Sequence, residues 1–345
     1  MKPGAYTAII TPFTGEGTVD YDGLDRLVEF QIQSGMTGIL AVGTTGESPA
    51  LTWEEHNEVI ERVARQTAGR SVCVAGTGSN NTREALEATD HAAKAGAQAV
   101  LLVDPYYNGP SSLEIRREYV SPIAEAYPDL DIIPYVIPGR TGTQLLPEDL
   151  ALLAHRHANV RTVKEATGDL ANMRRTRNCC GPDFSILSGD DGLTFDMMTD
   201  AGIQAAGVIS VVSNLIPGAV SRLVRLLRSG DLEAAGQLNQ EILPLFGLVT
   251  VKTMEQTPHG QVVCRARNPL AIKCLMSILG MPSGGCRRPL GKMTRNGLEA
   301  VLETARIVHR ANPEILRPVE DFFGVRIEDR INDPRNWDGL AYPAY

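Results

Sequence analysis

The 345-residue chain has no CxxC pair and no Cys/His group at metal-ligand spacing. Its six cysteines, Cys73, Cys179, Cys180, Cys264, Cys274 and Cys286, are scattered. Several sit among apolar residues, where a free thiol behaves as a small hydrophobe. No metal or other cofactor is implied, and free thiols suit a reducing cytoplasm. Also missing is any apolar run long enough to span a bilayer, and the start, "MKPGAYTAIITPF", has no signal-peptide cleavage pattern. No block of lysines or arginines stands out, and the formal net charge is -8. That balance argues against nucleic acid or an anionic membrane as the main partner.

What is present is repetition. "AYTAII" precedes "YDGLDRLVEFQIQSG", and "TGILAVG" precedes "TWEEHNEVIERVARQTAG". "SVCVAGTG", "AQAVLLVDP", "DIIPYVIP", "VRTVKEATG", "FSILSG" and "AAGVISVVS" are each followed in turn by a segment with helical spacing. Strand-then-helix repetition implies parallel strands with right-handed crossovers. Eight such units in about 230 residues fit a (β/α)8 TIM barrel better than an open sheet. The expected organisation is a catalytic barrel over 1–230 and a C-terminal helical subdomain over 231–310. The subdomain's helices are expected near 231–254, 268–280 and 294–310. Residues 311–345, rich in Pro, Asp and Arg with scattered aromatics, show no clear period and read as an irregular arm.

A barrel of this kind places its active site at the C-terminal ends of the strands. The residues there are Gly43–Ser48, Gly76–Asn81, Tyr106 and Tyr107, Tyr135 and Arg140, Lys164, and Ser188–Gly192. Strand six, in "TVKEATG", ends on Lys164. A lysine inside a barrel loses hydration, which lowers its pKa. The neutral amine is then a nucleophile toward carbonyls and can form a Schiff base. The competing reading is a structural lysine paired with Glu165. Tyr135, one strand over, offers a phenol able to pass protons. "GTTGE" offers two hydroxyls suited to a small carboxylate, though a capped turn would use the same residues. Arg140, in a glycine-flanked loop, can bind a carboxylate bidentately or make a surface ion pair. "GTGSNNTREA" lacks the P-loop lysine and the dinucleotide-loop glycines, and reads as a turn and helix start.

"GTTGES", "AGTGSNNTREA", "PYYN", "PGRTG", "KEATG", "LSGDD", "GVISV" and "NPLAIK", in this order, resemble the dihydrodipicolinate synthase family. That family lies within the N-acetylneuraminate lyase superfamily of pyruvate-dependent class I aldolases. The resemblance covers about residues 4–310. Paired Thr44 and Thr45 with Arg140 favour the synthase branch. The resemblance implies condensation of pyruvate with L-aspartate 4-semialdehyde to 4-hydroxy-tetrahydrodipicolinate, in diaminopimelate and lysine biosynthesis. It implies Lys164 as the Schiff-base lysine and Tyr135 as the acid/base, hydrogen-bonded to Thr45 and to Tyr107 from a neighbouring subunit. Thr44 and Thr45 would hold the pyruvate carboxylate and Arg140 that of the aldehyde. The backbone of Gly189 and Ile209 would line the pyruvate pocket. It also implies a homotetramer, and a regulatory site for L-lysine at Ser48, Pro49, Trp53, His56, Asn80, Glu84 and Tyr106.

Three features depart from the family pattern. Val136 stands where an asparagine usually follows the tyrosine, the connection "LVTVKTMEQTPHGQVVCRAR" is long, and the tail beyond about residue 310 has no counterpart. Two other readings stay open: a sister aldolase using another aldehyde, such as one yielding a 2-keto-3-deoxy sugar acid, and a non-catalytic metabolite-binding barrel.

Overall fold

The computed structural model describes residues 1–345. Eight parallel strands close into a barrel: β1 (Gly4–Ala8), β2 (Gly38–Ala41), β3 (Val72–Gly76), β4 (Ala99–Val103), β5 (Asp131–Val136), β6 (Thr162–Glu165), β7 (Ser185–Ser188) and β8 (Gly207–Ser210). Each strand is covered on both faces, so its sequence is a nearly continuous apolar run. The inward face holds a small cluster that includes Tyr6, Leu40, Ile133, Tyr135, Leu187 and Ile209. The outward face meets the helices in one large core. Closure depends on a close approach of β1 and β8, where Gly4 pairs with Gly207. A Cβ on Gly207 would lie 1.9 Å from the Gly4 carbonyl oxygen, and the Gly207 φ of +154° also disfavours a side chain.

Two helices at the rim start where their sequences cap them. Thr52 and Glu55 form a capping box on the helix Trp53–Thr67, and Asn81 caps the helix Thr82–Ala95. None of the helices is long and apolar enough to cross a membrane.

Beyond the barrel the expectation of helices near 231–254 is corrected. The helix is Leu232–Phe246, and a short 3-10 turn over Gly247–Val249 ends it. Residues 249–267 are not a plain connection. They build an antiparallel hairpin of β9 (Thr250–Thr257) and β10 (Gly260–Arg267). Pro244 and Gly247 weaken the helix, and the β-branched residues after them favour a strand. The helices Leu270–Ile278 and Arg295–Ala311 match the expected stretches near 268–280 and 294–310.

The arm over 311–345 has more regular structure than its sequence suggested. It carries the short helices Arg317–Phe323 and Ile327–Asn332. Leu316, Val319, Ile327 and Ile331 enter the core. Phe322 and Phe323 pack against Phe30 with ring centroids 5.2 Å away in both cases. The backbone of Tyr342 donates to Met293 O at 2.9 Å.

A buried ion pair fixes the loop after β2. Lys273 Nζ lies 2.7 Å from Glu47 Oε1, and both side chains are almost fully enclosed. The ammonium also donates to Thr11 O at 3.0 Å and Gly285 O at 2.8 Å. Glu47 Oε2 accepts from the Arg287 backbone. With its remaining lone pairs and protons satisfied, a buried pair of this kind acts as a geometric pin. It holds the "GTTGE" loop against the helix Leu270–Ile278.

Candidate active site

Lys164 and Tyr135 are direct neighbours in the β5–β6 register. Lys164 Nζ lies 4.2 Å from the Tyr135 ring centroid. Both side chains are buried. Burial pulls the Lys164 pKa down to about 7, with the Arg140 charge pulling the same way and Asp191 opposing. Burial pushes the Tyr135 phenol up to about 12, while Arg140 and the Thr44 side chain ease it. At neutral pH this is an amine near its midpoint beside a phenol that keeps its proton.

The alternative of a structural Lys164–Glu165 pair is not what forms. Neighbouring strand residues point to opposite faces. Glu165 accepts instead from Thr167 Oγ1 at 3.1 Å and Asn172 Nδ2 at 3.2 Å. Its own pKa is pushed up to about 7 by burial. Asp191, also buried, is held by Ser210 Oγ and by the backbone N–H groups of Val211 at 2.9 Å and Val212 at 3.2 Å. It ties the loop after β7 to the end of β8.

Gly189 follows β7 and closes on the lysine. A Cβ there would meet Lys164 Cε at 3.1 Å and Ala166 Cβ at 2.8 Å. Its N–H donates to Glu165 O at 2.7 Å. Ile209, fully buried on β8, belongs to the same inner cluster as Tyr135.

The two threonines divide differently from expectation. The side chain that eases the Tyr135 pKa is Thr44. Thr45 Oγ1 instead accepts from Asn268 Nδ2 at 3.0 Å. In this structure Thr44, and not the expected Thr45, is the threonine that acts on the Tyr135 phenol. Val42 has φ +47° just ahead of the pair, so strand alternation cannot say which threonine points where. Asn268, which the sequence reading missed, also accepts at its carbonyl from Arg140 Nη2 at 3.3 Å. The motif "NPLAIK" was its one signal.

Two connected cavities open here. One of about 470 Å³ is lined by Lys164, Tyr135, Thr44, Thr45, Gly189 and Arg140, and its far wall is the β9–β10 hairpin. The other, of about 220 Å³, shares Thr44, Tyr135 and Arg140 and extends to Ser48, Pro49 and Tyr106. Arg140 is open to solvent at the mouth, yet crowding by protein lowers its pKa, with Arg267 adding to the effect and Tyr135 opposing. Tyr107 does not join its own chain's site. It stands 91% exposed at φ +76° on the loop after β4.

The residues expected to bind lysine are only partly gathered. Ser48 and Tyr106 line the smaller cavity, whereas Asn80 borders a separate groove. Trp53 is half-exposed with its ring 5.2 Å from that of His56. His56 is buried, with Nε2 3.1 Å from Gly76 O and Nδ1 without a partner. Glu84 accepts from Ser79 Oγ at 2.6 Å.

Comparison with known proteins agrees with this geometry. Residues 1–308 match the model of the dihydrodipicolinate synthetase family. A 4-hydroxy-tetrahydrodipicolinate synthase of Leptospira biflexa is 40% identical over 294 residues, covering 85% of this chain and 93% of the relative. The structure of the 4-hydroxy-tetrahydrodipicolinate synthase from Methylacidiphilum fumariolicum SolV superposes with a TM-score of 0.82 at 37% identity, covering 94% of this chain and all of that one. A dihydrodipicolinate synthase from Cyanidioschyzon merolae, solved with lysine bound, gives 0.80 at 34% identity, covering 88% and 97%. The chain belongs to the dihydrodipicolinate synthetase family.

Proposed function

We propose that the protein condenses pyruvate with L-aspartate 4-semialdehyde to give 4-hydroxy-tetrahydrodipicolinate. The observation that carries this reading is Lys164: a buried amine with a pKa near 7, set against a protonated Tyr135 in a cavity that also holds two threonines and an arginine. The amine adds to the pyruvate carbonyl, and Tyr135 relays the protons that turn the carbinolamine into an imine and water. Loss of a methyl proton gives a neutral enamine. Its carbon attacks the aldehyde, and the acceptor's own amine then displaces the lysine and closes the ring. Thr44 and Thr45 serve the pyruvate carboxylate, and Arg140 serves that of the acceptor. Ile209 and Gly189 shape the pyruvate end of the cavity.

Tyr107, exposed and turned out by its positive φ, is suited to complete a neighbouring subunit's site in a homotetramer. The decisive experiment is a turnover assay of purified protein with pyruvate and a panel of aldehydes. Preference for a sugar aldehyde over aspartate semialdehyde would move the protein to the sister aldolases. Imine formation without turnover of any aldehyde would leave a binding barrel.

A second reading concerns feedback. The half-exposed Trp53, with Tyr106 and Glu84 close enough to interact, suits capture of free L-lysine. The relative from Cyanidioschyzon merolae described with lysine bound supports it.

A further inference from the structure

We propose that Lys252, Arg265 and Arg267, carried by the β9–β10 hairpin, form a carboxylate-recognising wall that works with Arg140 to select the acceptor aldehyde. The inference rests on the condensation reading above and adds to it residues from a segment longer than the family pattern.

The argument starts from strand register. Lys252 stands directly opposite Arg265, and Thr250 opposite Arg267. Alternation along each strand places these four on one face of the hairpin. The other face carries Thr253 and Glu255, which bond to each other at 2.7 Å. That face docks on the helix Arg295–Ala311, where Asn296 Nδ2 donates to Glu255 Oε2 at 3.0 Å. The base is tied by the Asn268 N–H to Val249 O at 2.8 Å. The hairpin is therefore held from behind, and its cationic face looks into the cavity that ends on Lys164.

Like charges placed directly opposite in a sheet repel. No carboxylate lies within ion-pair distance of Lys252, Arg265 or Arg267 to relieve this repulsion. Arg267 Nη1 reaches only a backbone carbonyl, Gly139 O at 3.4 Å, and Arg140 only Asn268 O. Lys252 and Arg265 have no hydrogen-bond or ion-pair partner. Asp190 is the single carboxylate of the lining, and its Oδ1 is taken by the Gly192 N–H. In a chain of net charge -8, four cations with no carboxylate partner around one cavity mouth call for an anion from outside. The anion is the carboxylate of the acceptor. On the condensation reading pyruvate sits deeper, at the lysine, and the hairpin walls the outer part of the same cavity.

The test measures binding separately from turnover. Borohydride reduction of the pyruvate imine gives a stable loaded enzyme, and calorimetry then measures aspartate semialdehyde binding to it. For the exposed double variant Lys252→Ser/Arg265→Ser, the dissociation constant should weaken roughly tenfold at low salt. The gap should narrow as salt screens the wild type. A neutral aldehyde of the same length should bind both proteins alike, and the pyruvate trapping rate should not change. Lys252→Arg/Arg265→Lys should restore the affinity. Equal binding of the semialdehyde to wild type and variant overturns the wall and leaves the condensation reading standing. Equal weakening toward the neutral aldehyde also overturns it. No binding to the loaded wild type also overturns the wall, while the condensation reading stands or falls on the turnover assay.

Discussion

The amine of Lys164 rests 4.2 Å from the centre of the Tyr135 ring, on the adjacent strand and in the same register. On the proposed reading this contact sets the nucleophile beside the proton relay before any substrate binds. Treatment with pyruvate and borohydride should add mass to the wild type and none to Lys164→Ala. Tyr135→Phe should still be trapped, but roughly 10²–10⁴-fold more slowly, the usual worth of a positioned acid/base. Lys273 is a built-in control. It is as buried as Lys164 but pinned to Glu47, so it should carry no adduct. An adduct on Lys273 would sink the assignment.

The pH profile follows from the same burial. Only the neutral amine attacks, so the imine-formation rate should rise with pH through about 7 and then level off. An unperturbed lysine would keep gaining rate past pH 9. Arg140 depresses the Lys164 pKa, so Arg140→Ala should move the midpoint upward. Stability has the matching sign. The folded lysine sheds its proton near 7 and the unfolded one near 10.5, so the burial penalty is full below 7 and fades as pH rises above it. The stability advantage of Lys164→Met over wild type should shrink across that window. A rate profile without a bend near 7 would contradict the reading.

Gly189→Ala tests how tightly the pocket closes on the lysine. The new methyl would press on Lys164 Cε and Ala166 Cβ. Overpacking of this kind costs about 1–3 kcal/mol. Displacing the amine should slow trapping by about 100-fold, since small misplacements at a reacting atom are expensive. Gly139→Ala, where a Cβ meets nothing within 4 Å, should be silent in both denaturant melts and trapping. Equal effects of the two would mean that space beside Lys164 is not what Gly189 supplies.

These residues also show what a sequence can and cannot disclose. The barrel was legible because strands buried on both faces read as short apolar runs between amphipathic helices. Lys164, Tyr135, Arg140 and Gly189 were legible because such runs must end at the functional rim. The hairpin was not, because its strands are half-exposed and follow directly on a helical pattern. Pro244 and Gly247 were the marks of the change. Thr44 and Thr45 could not be told apart, because a backbone with positive φ at Val42 breaks the alternation that sorts side chains. The tail hid its helices because six or seven residues give under two turns, too few for a period to emerge.

Feedback by L-lysine can be checked by initial rates at fixed pyruvate. Millimolar lysine should inhibit the wild type. Glu84→Ala should lose most of that response, because it removes the carboxylate meant for the α-ammonium. Glu84 now accepts from Ser79 Oγ, so the lysine must compete with that bond. Ser79→Ala should therefore sharpen inhibition. Uninhibited wild type, or equal inhibition of wild type and Glu84→Ala, would remove the regulatory reading.

The last prediction concerns the arm. Residues 309–345 fall outside the family match, yet Leu316, Val319, Ile327 and Ile331 are buried and Phe322 and Phe323 pack on Phe30 of the helix Tyr21–Gln33. Each fully buried aliphatic chain contributes about 1.5–3 kcal/mol before the cost of ordering the segment. Truncation after Asn312 should therefore lower the melting temperature, because Val301, Ala305 and Phe30 lose the apolar surface that covers them. Leu316→Ala alone should cost about 2–5 kcal/mol. Lys164 and Tyr135 lie on the barrel strands, away from the arm's contacts with the helices Tyr21–Gln33 and Arg295–Ala311. Pyruvate trapping by the truncated protein well below its melting temperature should stay near the wild-type rate. A truncated protein that melts like the full chain would mean the arm only lies on the surface; one that melts normally but cannot form the imine would give the arm a role in the site itself.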